Sequence, residues 1–519
     1  MKKNTLKRNT LILTISGFFV KIIGFFYRVY IAKTIGAEGM GLFQLVLPVY
    51  NLVLLGLTAG VGIAVSRLVA EETARGKHRN SNRIAVVAGT AVFVSAIFVV
   101  LILLFNLDFV VNYLVGDIRT KSALYWLLPS IPFIAGITAL KGYFYGKQEM
   151  MPNAISQVVE QAVKLVVIYV ISDQFIYGDF ERKCLFATLG LVAGEIANVL
   201  VVYAAFLSRR MKKSADTGMK LMRKRDIGKS ILKISLPITA NRLILSFMGT
   251  VEFLLIPQRL EIFGLTSKEA LVEYGKLTGM ASPIISFPSM LTAALAIALV
   301  PAIAESVTRK RIFAANRQIS RSIRVTLVLG FLFTSLFISY CNEISNIVYP
   351  GQNVGRMLYL LSFTGVFFYL QQTLLGILNG LGKETETLKH SMLSSVIRLS
   401  FVWFAIPIFG LEAYIAAIVI SNFASAALNI RTTVKTTGMA IEIGDWLIKP
   451  LIACVSGIII APAVKMLTLS VVVSPVPVLF ISAGITGMLM IVMLILLGVF
   501  DLKDIRHMLP LHIDKFRKL

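Results

Sequence analysis

The sequence predicts an all-α integral membrane protein, with fourteen transmembrane helices in two related lobes around a central cavity. Three observations predict it: apolar content, repeated apolar runs of membrane-spanning length, and basic residues concentrated in alternate loops. Of 519 residues, 56% are hydrophobic and 15% charged, whereas soluble domains are about 45–50% apolar and about 25% charged. One apolar run could be a buried core helix. Many runs near the roughly 20 residues needed to cross about 30 Å of hydrocarbon leave no water-soluble fold, because lipid requires each backbone N–H and C=O to be satisfied internally.

The spans are read at 11–35, 42–70, 84–105, 122–145, 153–172, 184–207, 231–263, 273–304, 325–349, 357–380, 390–409, 413–434, 447–471 and 477–500. An even number places both termini on one side. Arg75, Lys77, Arg79 and Arg83 fill the second loop, and the sixth runs from Arg209 to Lys229 with nine basic residues. The eighth holds Arg309, Lys310, Arg311, Arg317 and Arg321, and the tail ends in Lys515, Arg517 and Lys518. Intervening loops are short or mixed: Glu38, then Asp108 and Asp117 beside Arg119 and Lys121. The positive-inside bias therefore makes the even loops and both termini cytoplasmic, in a multi-pass protein of the cytoplasmic membrane. It also accounts for the net charge of +25 without nucleic acid. Lys2, Lys3, Lys7 and Arg8 before an apolar run resemble a signal peptide, but the run continues to Ile35 with no small-residue cleavage site. It reads as a retained first span.

These spans divide the chain into an N-terminal lobe (1–207), a basic cytoplasmic linker (208–230), a second lobe (231–434), and two additional helices with a basic tail (435–519). Gly41 to Glu71 and Gly275 to Glu305 run the same length from Gly to Ala-Glu and close on GIAVSRLVAE and AIALVPAIAE. The offset covers an even number of helices, so the repeat is parallel. Such repeats build transporters whose substrate site lies between two rocking lobes.

Chemistry-bearing constellations are sparse. Cys184, Cys341 and Cys454 lie in or beside apolar runs without CxxC or metal spacing and read as packing residues. His78, His390, His507 and His512 lie in polar segments or near helix ends. No metal, cofactor, nucleotide-binding domain or nucleophile–base arrangement is expected, so the chain does not read as an enzyme. The spacings Gly56–Gly60, Gly190–Gly194 and Gly376–Gly380 suit close helix packing.

Ionisable groups at membrane depth are costly and usually face a cavity or a partner. In the first span Gly17, Lys21, Gly24 and Arg28 are spaced 4, 3 and 4 and share a face. Lys21 and Arg28 suit an anion, which Arg grips as a planar fork and Lys as a point charge. Their structural alternative is an ion pair with Glu160 or Glu195. Gln44, Asn51 and Thr58 recur every seven residues on the second span, as a cavity lining or as interhelical glue. Glu160 and Lys164 are an i,i+4 pair flanked by Gln157 and Gln161, and Glu195 shares a face with Asn198. Lys164 joins the candidate substrate-binding set with Lys21, Arg28, Gln44 and Asn51. Glu160, Glu195 and Glu252 are candidates for ion or proton coupling. Arg242, Gln371, Gln372, Asn379 and Arg398 are more scattered.

Residues 21–72 resemble the start of the polysaccharide flippases of the multidrug/oligosaccharidyl-lipid/polysaccharide exporter superfamily. The likeness rests on Gly24-Phe25, Arg28, Ile31-Ala32-Lys33, Ile35-Gly36, Glu38-Gly39, Gly41-Leu42 and Ser66-Arg67-Leu68-Val69-Ala70-Glu71. Within the superfamily the chain is most similar to the stage V sporulation protein B group, and Ser289 to Glu305 is similar too. The resemblance implies a two-lobed, fourteen-helix flippase for a lipid-linked sugar, with the prenyl tail in a groove formed by the last two helices. Lys21 matches a basic position in the first helix of related lipid II flippases. Their next arginine falls nearer Tyr27, so Arg28 is displaced by one, and another arginine near Pro283 and Phe287-Pro288-Ser289 is missing.

The function expected is alternating-access transport of an undecaprenyl-pyrophosphate-linked glycan, a peptidoglycan precursor, by a monomer in the lipid bilayer alongside cell-wall synthesis proteins. The alternatives are a drug/cation antiporter of the same superfamily, which calls for an acidic, aromatic cavity, and a membrane glycan polymerase or glycosyltransferase. The latter would need sizeable extracytoplasmic loops, and the loops here are short.

Overall fold

A computed structural model describes residues 3–175, 178–210 and 221–499. Among these residues there is no strand, and thirteen helices are long and apolar enough to cross a membrane. The first of them, Ile12–Ala74, is 63 residues long, roughly 95 Å at 1.5 Å per residue and three times the hydrocarbon thickness. It divides at Gly36, whose φ of 71° and ψ of −177° break the helix in a region essentially reserved for glycine. Two spans result, and the total is the fourteen expected. We label them α1 (3–35), α2 (37–58, continuing as Val61–Ala74), α3 (His78–Phe105), α4 (Ile118–Gly146), α5 (Met151–Phe175), α6 (Phe180–Arg210) and α7 (Lys224–Ile262). Then follow α8 (Ser267–Gly275, continuing through a π-helical stretch, Lys276–Ala281, to Ser282–Ser286 and resuming as Ser289–Thr308), α9 (Ile312–Val348), α10 (Gly355–Gly380), α11 (Glu384–Phe409), α12 (Leu411–Thr437), α13 (Gly444–Val471) and α14 (Pro475–Leu496).

Two boundaries differ from the sequence reading. The eighth span, expected unbroken over 273–304, is interrupted at Phe287-Pro288, because proline cannot donate the next helical hydrogen bond. The basic linker is partly helical: α7 begins at Lys224, and Ile227 is fully buried in a core with Ile84, Tyr143 and Phe206. Residues 211–220 and 500–519, with the remaining linker and tail lysines, lie outside the described residues.

The chain forms two compact units. One comprises Met1–Pro283 and Ser391–Ala417, the other Ile284–His390 and Ile418–Leu519. In the first, α2, α3, α4, α6 and the start of α7 share an apolar core that includes Val65, Ala88 and Leu140. In the second, α13 and α14 pack on each other and on α9. Large apolar side chains point outward on both, among them Phe98 at 66% and Phe105 at 86% exposure on α3 and Met466 at 77% on α13. An exposed apolar belt is what a lipid solvent permits. Cys184 and Cys454 are buried and all three cysteines are free, in keeping with packing roles.

Within the first unit the beginnings of the two repeat copies meet. A Cβ at Gly41 would stand 2.3 Å from the Leu271 carbonyl oxygen, and one at Gly275 would stand 2.0 Å from that of Ala37. Ala37 and Gly41 correspond in the repeat to Leu271 and Gly275, so the contact is reciprocal, as contacts across a two-fold axis are. Gln44 and Thr278, again equivalent at 234 positions apart, are hydrogen-bonded at 3.3 Å.

Candidate functional site

Around that pseudo-axis α1, α2, α7 and α8 enclose a cavity of about 430 Å³. Arg28 projects to it from α1, and Gln44, Pro48 and Asn51 from α2. Ser246 and Thr250 of α7 and Tyr274, Thr278 and Ser282 of the α8 segment supply hydroxyls on the other side. Local chemistry explains the shape of the α2 wall. Pro48 has no N–H, so the Gln44 carbonyl lacks its helical donor; the Tyr274 hydroxyl donates to it instead, at 3.4 Å. The Pro48 carbonyl in turn accepts from the Thr250 hydroxyl at 3.3 Å. The wall is thus tied across α2, α7 and α8. Arg28 is the charged residue among those lining the cavity, which makes the site fit for an anion carrying hydroxyl and amide partners.

Three residues of the expected substrate set, Arg28, Gln44 and Asn51, meet in this cavity. Lys21 is exposed, seven residues from Arg28 on α1, roughly 10 Å along the axis, and is not part of the lining. Lys164 is buried elsewhere: its ammonium lies 2.5 Å from Glu160 and 3.7 Å from Glu195. Asn198 donates to the second oxygen of Glu160 at 2.7 Å. Gly194 makes this possible, because a Cβ there would stand 2.3 Å from the Lys164 Cγ. The Gly190–Gly194 spacing therefore serves the α5–α6 contact. Glu252, the third candidate for coupling, is 2% exposed and held by Arg398 Nε at 2.8 and 3.0 Å and by the Tyr414 hydroxyl at 2.8 Å. Arg398 is tied further to Ser394 and Ser395.

Sequence reasoning passed over the hydroxyl wall and one charge. Serine and threonine cost little in an apolar helix, where they can bond their own backbone, and tyrosine is largely apolar, so Tyr274, Thr278 and Ser282 carried no signal. Lys141 did carry one, as a cation inside the fourth span. It lines a second cavity with Arg67 and Arg242.

The helices and the Arg28 cavity define a multi-pass membrane protein of the transporter type. The chain matches the model of the polysaccharide biosynthesis protein family over residues 6–307, and it belongs to that family. It is 29% identical over 465 residues to stage V sporulation protein B of Bacillus subtilis (strain 168), covering 88% of this chain and 89% of that protein. Its fold matches a solved structure of lipid II flippase MurJ in an inward closed conformation, with a TM-score of 0.71 at 15% identity over 95% and 99% of the two chains. It also matches an inward-facing multidrug resistance MATE family transporter of the MOP superfamily, with a TM-score of 0.65 at 14% identity over 83% and 96%.

Proposed function

We propose that the protein is a flippase for an undecaprenyl-pyrophosphate-linked glycan, a peptidoglycan precursor, in the cytoplasmic membrane. The observation that carries this reading is the single cationic fork, Arg28, set in a polar cavity with Gln44, Asn51 and a row of hydroxyls. Pyrophosphate meets Arg28 through charge-assisted, bidentate hydrogen bonds, and the sugar hydroxyls meet the amides and hydroxyls opposite. Lys21 meets the anion in another state of the transport cycle. The polysaccharide biosynthesis family and the relatives named for sporulation and for lipid II flipping support that class of cargo. The loops rich in arginine and lysine face the cytoplasm, and Gly36 faces outward. Glu160 and Glu195, sharing Lys164, supply the coupling ion site, and Glu252 holds α7 to α11 and α12. The antiporter reading shares the fold but calls for an acidic cavity, whereas the charge on this one is basic.

The test is complementation of a depleted cell, with the leaflet position of accumulated lipid-linked precursor and the protein level measured together. Arg28→Ala should cut transport by about 10- to 100-fold, the worth of hydrogen bonds to a charged group, at normal abundance. Arg28→Lys should retain part of it. Full complementation by Arg28→Ala at normal abundance would sink the reading.

A further inference from the structure

A second cavity, of about 660 Å³, lies on the basic-loop side of the first and is lined by parts of α2, α4 and α7. Three cations reach it, Arg67, Lys141 and Arg242, one from each helix, and no carboxylate lines it. The neighbouring acids do not neutralise the group. Glu71 pairs with Arg67 at 3.1 Å, with both side chains well exposed, where ion pairs are weak. Lys141 forms no ion pair among the described residues, and its neighbours Glu160 and Glu195 are engaged by Lys164. Arg242 has no carboxylate partner among the described residues. Topology does not explain it either, since it sits eighteen residues (242 − 224) into α7, roughly 27 Å along the helix.

The cluster is built on a firm base. Cβ atoms at Gly142 and Gly146 would stand 2.6 Å from the Gly62 carbonyl oxygen and 2.5 Å from that of Ser66. Helices α2 and α4 therefore touch backbone to backbone, and Lys141 and Arg67 emerge from one rigid pair. The cavity also adjoins the first. Thr58 lines the second and Asn51 the first, two turns and roughly 10 Å apart on α2. The polar stripe Gln44–Asn51–Thr58 thus runs from one cavity to the other.

We propose that Arg67, Lys141 and Arg242 form a loading site for the substrate's pyrophosphate, from which it passes along this stripe to Arg28. The proposal rests on the flippase reading. Lys141 and Arg242 stand inside membrane-length helices, where a cation without a carboxylate partner is costly, and a dianionic group offsets them where no side chain does. Thr58, Ser66 and Thr138, which share the lining, complete the hydrogen bonding of phosphate oxygens. Two stations that share the anion, rather than one that binds it tightly, let it leave as readily as it enters.

The experiment measures binding of farnesyl pyrophosphate and of inorganic pyrophosphate to the full chain in nanodiscs, for wild type, Arg242→Gln, Lys141→Gln, Arg242→Lys and Arg28→Ala. Thermal unfolding is followed alongside, and native mass spectrometry monitors phosphatidylglycerol. Arg242→Gln and Lys141→Gln should each weaken both probes about tenfold or more at unchanged thermal stability, and Arg242→Lys should stay near wild type. Wild-type affinity in both glutamine variants, with binding lost only in Arg28→Ala, would overturn the loading site and leave the flippase reading intact. Loss of bound phosphatidylglycerol with pyrophosphate binding unchanged would also overturn it, assigning the cluster to a bilayer headgroup. No binding of either probe by wild type would bring down both. If Lys141→Gln unfolds, the Arg242 pair decides alone.

Discussion

Lys164 shows how little a charge in a helical span says until its surroundings are known. On the sequence it is one half of an i,i+4 pair and a plausible ligand for an anion. In the fold it sits between two carboxylates, with Asn198 completing the set. Its side chain is 7% exposed, so its removal leaves acids facing each other without a cation. Lys164→Met should therefore destabilise the protein by about 3–5 kcal/mol, read as a lower unfolding temperature in detergent. Adding Glu160→Gln should restore most of that loss, because a single carboxylate then remains where two faced each other. A double variant no more stable than the single would show that the pair is not the source of the cost. Arg28, Gln44 and Asn51 were legible because polar groups at helical spacing in an apolar span are expensive unless a cavity receives them. The hydroxyls of Thr278 and Ser282 were not, since each is affordable on its own helix.

At the scale of elements, the repeat was legible as two strings of equal length, but its consequence was not. Equivalent glycines, 41 and 275, meet across a pseudo-two-fold contact and let α2 and α8 approach backbone to backbone. Nothing in a single helix says which partner fills the space beside a glycine. Gly36 was likewise read as part of a span boundary, whereas its backbone angles show why the chain can turn there. Gly41→Ala should force this contact apart, since neither backbone can yield the distance, and so expose the Gln44 region. In a background lacking the native cysteines, Gln44→Cys should react with an external thiol reagent several-fold faster when Gly41→Ala is present. Unchanged labelling would mean that the glycine contact does not close that end.

For the whole molecule, span number and helical class follow from composition and length alone, because the bilayer fixes both. Span edges do not: α7 starts inside the basic linker, where Ile227 reaches the core, and α8 breaks at a proline. Sidedness follows from the distribution of arginine and lysine. Ile118→Cys, at the start of α4 and 56% exposed, should label from outside intact cells. Phe313→Cys, 93% exposed beside the eighth loop, should label only after permeabilisation. The reverse pattern would invert the direction of transport.

The central claim is that the Arg28 cavity carries a pyrophosphate-linked sugar across the bilayer. Its most direct measurement is transbilayer movement of a short-chain polyprenyl-pyrophosphate-linked sugar in proteoliposomes of the purified chain. Saturable movement well above protein-free liposomes is expected, reduced about 10- to 100-fold by Arg28→Ala and partly kept by Arg28→Lys. Movement no faster than in empty liposomes, or equal in wild type and Arg28→Ala, would contradict it.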